Sequence, residues 1–187
     1  IRDRNNPDFA DVKSLEGVAD TKHKAVPTFA LPTTAGTAAE VTINYVIIDE
    51  DARKKMVCVD PNDIPAVAIV DPEFVMDLPP SLIANAGLDV LTHAIEAYTS
   101  TLATNFADGQ AMEAVRLVFK YLRRSYAGGE ERLIPREKMH YAATMAGMAF
   151  ANAFLGVCHS LAHTLGSCFH LPHGLANAIL LSYVIEY

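Results

Sequence analysis

The pair Pro79-Pro80 divides this chain into two kinds of sequence. A proline fixes φ and lacks an N–H, so it interrupts a strand pattern but suits the first turn of a helix. Upstream, β-branched and apolar runs separated by polar turns predict strands over residues 26–31, 41–48, 56–59 and 66–70. The last is a continuous apolar run, the pattern of a strand buried on both faces. Residues 1–24 are polar and broken, with a turn expected at residues 5–8 and a short helix near residues 9–15. Downstream, apolar residues recur at helical spacing. Helices are expected over about 81–99, 107–126 (stopping at Gly128-Gly129) and 135–154, then over a histidine-rich stretch, and finally from about Pro172 onward. The expected organisation is an α/β part over residues 1–79 and an all-helical part over residues 80–187.

Residues 156–174 read Gly156-Val-Cys-His159-Ser-Leu-Ala-His163-Thr-Leu-Gly166-Ser-Cys-Phe-His170-Leu-Pro172-His173-Gly174, and hold four of the seven histidines. His159 and His163 are four apart and share a helix face, while Pro172-His173-Gly174 reads as the start of a further element. Neutral imidazoles converging from two elements suit a divalent ion such as zinc or iron(II); the alternative is a pair of helices with solvent-facing rings. Asp89 and His93 repeat the spacing of four on the first long helix, amid apolar neighbours. A buried carboxylate is costly unless paired or bound to a metal. Asp89 and His93 therefore form either an intrahelical ion pair or half of a four-coordinate site. Spacing alone does not say which of His159, His163, His170 and His173 would complete it.

Composition narrows the function. The formal net charge of −7, with no basic cluster, argues against nucleic acid and anionic membranes as partners. The longest apolar runs are too short to span a bilayer. Cys58, Cys158 and Cys168 are odd in number and show no paired spacing, which fits a reducing cytoplasm. Cys158 has no flanking basic residue and is expected to be a buried, inert thiol.

Residues 156–174 match the signature Gly-x2-His-x2-Ala-His-x2-Gly-x5-Pro-His-Gly at Gly156, His159, Ala162, His163, Gly166, Pro172, His173 and Gly174. Gly87-Leu-Asp89-Val-Leu-Thr-His93-Ala-Ile-Glu96 and the loop Thr33-Thr34-Ala35-Gly36-Thr37 supply two further motifs in the same order. On these three motifs the chain resembles the iron-containing (group III) alcohol dehydrogenases over essentially its whole length. Residues 6–12 and 32–45 are similar to the branch that interconverts lactaldehyde and 1,2-propanediol. The histidine stretch looks more like the alcohol dehydrogenase half of bifunctional aldehyde-alcohol dehydrogenases.

The resemblance implies a Rossmann-like dinucleotide-binding part, incomplete here, followed by a helical metal-binding domain. It implies Asp89, His93, His159 and His173 as ligands of iron(II) or zinc, with His163 close by as the proton-handling residue. His170 falls outside the signature and reads as structural or surface. Thr33, Thr34, Gly36 and Thr37 would contact NAD(H); Thr42, Asn44 and Val46 would line the cofactor side of the cleft; Lys55 would reach the ribose or phosphate. Strand alternation independently puts Thr42, Asn44 and Val46 on one face. The implied activity is reversible hydride transfer between NAD(H) and a small aldehyde or alcohol, in a homodimer. The family's glycine-rich phosphate-binding stretch precedes its Thr-Thr loop and has no counterpart here. The chain therefore reads as a segment of something longer, expected to bind NAD weakly or not at all by itself. A metal-dependent hydrolase and a non-catalytic metal-binding helical module are the rival readings. No glutamate follows His159, which excludes the zincin arrangement.

Overall fold

Strands give way to helices at Pro79, and Pro80 is the first residue of α1 (Pro80–Thr99). The computed structural model describes residues 11–19, 21, 26–52 and 54–187. The turn expected at residues 5–8 lies outside the described residues, as does the start of the helix expected near residue 9. The remainder of that helix is a 3-10 turn, Val12–Leu15, whose first turn is capped by Asp11.

Five strands are present among the described residues: β1 (Gly17–Val18), β2 (Phe29–Ala30), β3 (Asn44–Asp49), β4 (Lys54–Val59) and β5 (Val67–Ala68). They form a three-stranded sheet in the order β1-β4-β3 and a two-stranded pair, β2 with β5. β1 runs parallel to β4, while β3 pairs antiparallel with β4 from Asn44↔Val59 to Asp49↔Lys54. β3 starts three residues later than the pattern predicts, because the Val41 N–H turns back to the Ala38 carbonyl. β5 departs further from expectation. Its run was expected to be buried on both faces, yet Val67 and Ile69 are exposed. β5 pairs with β2 alone, and no helix among the described residues covers it. Apolar continuity predicts burial only where covering layers exist.

Alternation along β3 is as expected. Tyr45 and Ile47 pack with Leu15, Met56 and Cys58 in a small core beneath the sheet. Asn44 and Val46 therefore point the other way.

The helical part follows the predicted order: α1, then α2 (Asn105–Ala127), α3 (Leu133–Ala153), α4 (Val157–Phe169) and α5 (His173–Glu186). Thr104 caps α2 by accepting from the Ala107 N–H, a contact that contributes about 1 kcal/mol. Gly128, at φ +69°, ends the helix in a conformation that glycine adopts without a Cβ clash. The main core lies between α1, α2 and α3, where Ala94, Ala111, Ala114, Ala142 and Ala146 are fully buried. Such small side chains let the helix backbones approach closely. Arg136 of α3 ties this layer to the preceding segment, donating from Nη1 to the Val75 carbonyl at 2.6 Å. α5 crosses α1 at still closer range: a Cβ on Gly174 would come within 2.0 Å of the Asn85 carbonyl oxygen. Only glycine fits there, and this crossing sets His173 beside Asp89.

Candidate active site

α1 contributes three polar side chains along one stripe. Asp89, His93 and Glu96 are all buried, each less than 7% exposed. Their spacing of four and three keeps them on one face of the helix. α4 brings His159 and His163 to the same place, and α5 brings His173 in its first turn. One ligand atom each from Asp89, His159 and His173 lie within 4.8 Å of one another. Nε2 of His159 and Nε2 of His173 are each 3.5 Å from Asp89 Oδ1. His93 stands beside this trio, its Nε2 3.9 Å from Asp89 Oδ1.

The rings hold one another in place. Phe150 of α3 stacks on His93 at 4.5 Å between centroids, and His93 stacks on His159 at 4.6 Å with the planes 15° apart. His163 flanks the cluster, 6.4 Å from the His159 ring and 5.0 Å from the His173 ring. His170 ends α4 in the left-handed conformation and is exposed, as expected of a structural position.

Burial and proximity set the charge of each group. Burial alone would raise the Asp89 carboxyl, but the surrounding histidines outweigh it and hold the pKa well below the usual carboxylate range. Burial lowers His93 to about 4, against the pull of Asp89. Burial, with His173, His159 and Lys55 adding to it, lowers His163 to about 4 as well. At neutral pH the His163 imidazole is therefore uncharged, not poised at its ordinary value as its type alone suggests. Burial also lowers His159, but its hydrogen bonds to the Asp89 and Glu96 carboxylates more than compensate and raise it overall.

A cleft of about 480 Å³ opens onto this cluster. Its far wall comes from the sheet side: Thr37, Thr42, Asn44, Val46 and Lys55 line it together with the site histidines and Asp89. Gly166 of α4 makes room for Lys55, since a Cβ there would lie 3.2 Å from the lysine Nζ. Thr33, Thr34 and Gly36 do not line the cleft. Their loop packs on α1, where a Cβ on Gly36 would meet that of Ala86 at 3.0 Å. A buried carboxylate ringed by three imidazoles, at the end of an open cleft, is a donor set that fits a divalent ion.

Three residues at this site carry no prior assignment. Glu96 accepts from His159 Nδ1 at 2.5 Å and from the Cys158 N–H at 2.8 Å. Asn177, fully buried one turn along α5 from His173, donates to Asp89 at 2.7 Å. Phe150 backs His93. Glu96 sits in a quoted motif at helical spacing from Asp89 and His93, so its place on the stripe was legible. Asn177 lies four residues after His173, a signal of the same kind. Nothing in the sequence singles out Phe150 from the other apolar residues of α3.

The C-terminal model of the Fe-containing alcohol dehydrogenase family matches residues 83–187, and the iron-containing alcohol dehydrogenase model matches residues 3–72. The chain belongs to the iron-containing alcohol dehydrogenase family. It is 50% identical over 183 residues to a lactaldehyde reductase of Escherichia coli (strain K12), covering 98% of this chain and 47% of that protein. The crystal structure of a 1,3-propanediol oxidoreductase superposes with a TM-score of 0.90 at 43% identity, over 95% of this chain and 46% of that one. A sulfoacetaldehyde reductase from Bifidobacterium kashiwanohense, solved in complex with NAD+, gives 0.82 at 39% identity, over 87% of this chain and 43% of that one. The chain thus spans about half the length of the relatives it matches. No single helix among the described residues is long and apolar enough to cross a membrane.

Proposed function

We propose that this chain carries the metal-binding half of an NAD(H)-dependent alcohol dehydrogenase. The reaction is reversible hydride transfer with a small aldehyde or alcohol, lactaldehyde and 1,2-propanediol being the first candidates. The observation that carries this reading is the convergence of Asp89, His159 and His173 at the end of a cleft whose opposite wall is Thr37, Thr42, Asn44, Val46 and Lys55. A storage site has no use for such a cleft.

Asp89, His93, His159 and His173 are proposed to hold iron(II), or zinc, whose donor preferences overlap. One carboxylate among three neutral imidazoles leaves a divalent site at net +1, a charge that favours an anionic oxygen. When bound, the ion supplies Lewis acidity toward a carbonyl oxygen and the reduced nicotinamide supplies a hydride. The protein's own contribution is placement and proton transfer. The cleft admits a small carbonyl compound beside the histidines, with Thr42, Asn44 and Val46 as its cofactor-side wall. A ring nitrogen of His163, uncharged at neutral pH, accepts the alcohol proton in oxidation and returns it to the product oxygen in reduction. Lys55 and Thr37, which line the cleft, are proposed to contact the dinucleotide, Lys55 at its ribose or phosphate; Thr33, Thr34 and Gly36, which do not line it, are proposed to contact the cofactor only beyond the cleft. Residues 1–79 and 80–187 are proposed as the two corresponding units, a division supported by separate family models over residues 3–72 and 83–187. Assembly as a homodimer and a cytoplasmic location belong to the same proposal.

The test, run at high NADH concentration because weak cofactor binding is expected of this chain by itself, is oxidation of NADH, followed in the near ultraviolet, with lactaldehyde or glycolaldehyde, before and after chelation. Metal-dependent turnover lost in Asp89→Ala is the expected result. Hydrolysis of an ester with no NADH oxidation would overturn the reading in favour of a hydrolase.

A further inference from the structure

His159 presents Nε2 to Asp89 and His173, so its usefulness as a donor depends on where the ring proton sits. A neutral imidazole carries one N–H, and the nitrogen that bears it offers no lone pair. On the opposite edge of the ring, Nδ1 meets Glu96 Oε2 at 2.5 Å. The other Glu96 oxygen accepts the Cys158 N–H at 2.8 Å, in the first turn of α4, a helix with no side-chain cap of its own. Glu96 is thus a carboxylate from α1 that satisfies a buried backbone donor at the start of α4 and orients that helix's first histidine. Both ends of this contact are buried, His159 at 4% and Glu96 at 6% exposed.

Gly156 bears independently on the same point. A Cβ there would sit 3.0 Å from Glu96 Oε1, so any larger residue would press on the carboxylate. The glycine that opens the histidine stretch makes room for the carboxylate.

We propose that Glu96 is a positioning residue: it holds His159 as the Nδ1–H tautomer, leaving the Nε2 lone pair free to face Asp89 and His173. The proposal rests on the reading of that cluster as a metal site. It requires a carboxylate specifically, since both oxygens must accept. A glutamine offers one acceptor and one donor. With its oxygen toward Nδ1, its NH2 opposes the Cys158 N–H; with its NH2 toward Nδ1, the ring proton is forced onto Nε2 and blocks the donor atom.

Cobalt(II) titration against a competing chelator, read by its visible absorption bands, tests this in the wild-type protein and in Glu96→Gln and Glu96→Ala. Loss of an outer partner of a ligating histidine typically weakens metal binding about 10–100-fold. That loss is expected in both variants, Gln failing to rescue. Wild-type affinity in Glu96→Gln would overturn the proposal. Wild-type protein that takes up no cobalt would instead overturn the metal-site reading beneath it. In that case, or where the variants do not fold, the ring 15N spectrum of His159 in the metal-free wild type decides. Recorded at a pH high enough that the ring is neutral, protonation at Nδ1 is the expected result, and a neutral ring protonated at Nε2 overturns the assignment.

Discussion

Asn177 donates from Nδ2 to Asp89 Oδ1 at 2.7 Å, and the same nitrogen lies 3.1 Å from His159 Nε2 and 3.3 Å from His173 Nε2. One amide thus touches a donor atom from each of the three converging side chains. It has two N–H groups for three acceptors, so it compensates the buried carboxylate while leaving part of the cluster's lone-pair density unsatisfied.

This relationship makes two substitutions at one position behave differently. Asn177→Leu removes the donor and leaves Asp89 buried without it, a loss of roughly 1–3 kcal/mol that lowers the thermal midpoint of metal-free protein by several degrees. Asn177→Asp costs at least as much without metal, because it sets a second carboxylate against the first. Added zinc separates them. It is expected to raise the midpoint of Asn177→Asp by more than that of wild type, since a second anion now faces the ion, and to raise Asn177→Leu by no more than wild type. Thermal unfolding with zinc or with chelator checks this, and equal zinc responses would exclude Asn177 from the site.

The thiols give a separate check on how the site is buried. Burial, with Glu96 and Asp89 adding to it, pushes Cys158 up to about 11, and Cys58 is raised by burial as well. Only Cys168 is exposed. An aromatic disulfide reagent at pH 8 should therefore label one thiol per native chain quickly, and all three only in denaturant. Mass mapping should place the fast label on Cys168. Fast labelling of Cys158 would mean that the N-terminal turn of α4 opens readily, contrary to the packing around Glu96.

Why some of this was readable from sequence and some was not comes down to range. Asp89 with His93, and His159 with His163, are local patterns, because a spacing of four fixes a shared helix face wherever the helix lies. The motif match then named the ligand set, but the alternation of Asn44 and Val46 was legible from β3 by itself, Thr42 lying before the strand starts. The close crossing of α5 over α1 was not legible, since Gly174 meets Asn85 across nearly half the chain. Glu96 and Asn177 escaped assignment for a similar reason: their partners come from other helices, and neither residue type announces a role. β5 failed in the opposite sense. Its residues carry the signature of a doubly covered strand, but covering layers are a property of tertiary structure, not of five residues.

His140, on α3, carries the last prediction, and it lies outside the metal cluster. Its ring is fully buried, and burial lowers its pKa below the ordinary value of 6.5, with Glu40 and Asp71 acting in the opposite direction. The folded protein thus holds His140 neutral at a pH where the unfolded chain already binds the proton. A depressed folded pKa means that the stability is fully present above the unfolded value and is lost as pH falls from about 6.5 toward the folded value. One such group contributes a slope of at most about 1.4 kcal/mol per pH unit in that window. His93 and His163, each lowered to about 4, act in the same sense and outnumber His159, whose raised value acts in the opposite one, so wild-type stability should fall between pH 7 and pH 5. These two pH values bracket the ordinary histidine range. His140→Phe keeps the ring and removes the titration. Chelator-treated His140→Phe should therefore show a shallower pH dependence of unfolding than chelator-treated wild type, by up to one proton's share, when urea midpoints are compared at the two pH values. Parallel curves would mean that His140 keeps an ordinary pKa and that Glu40 and Asp71 offset its burial in full.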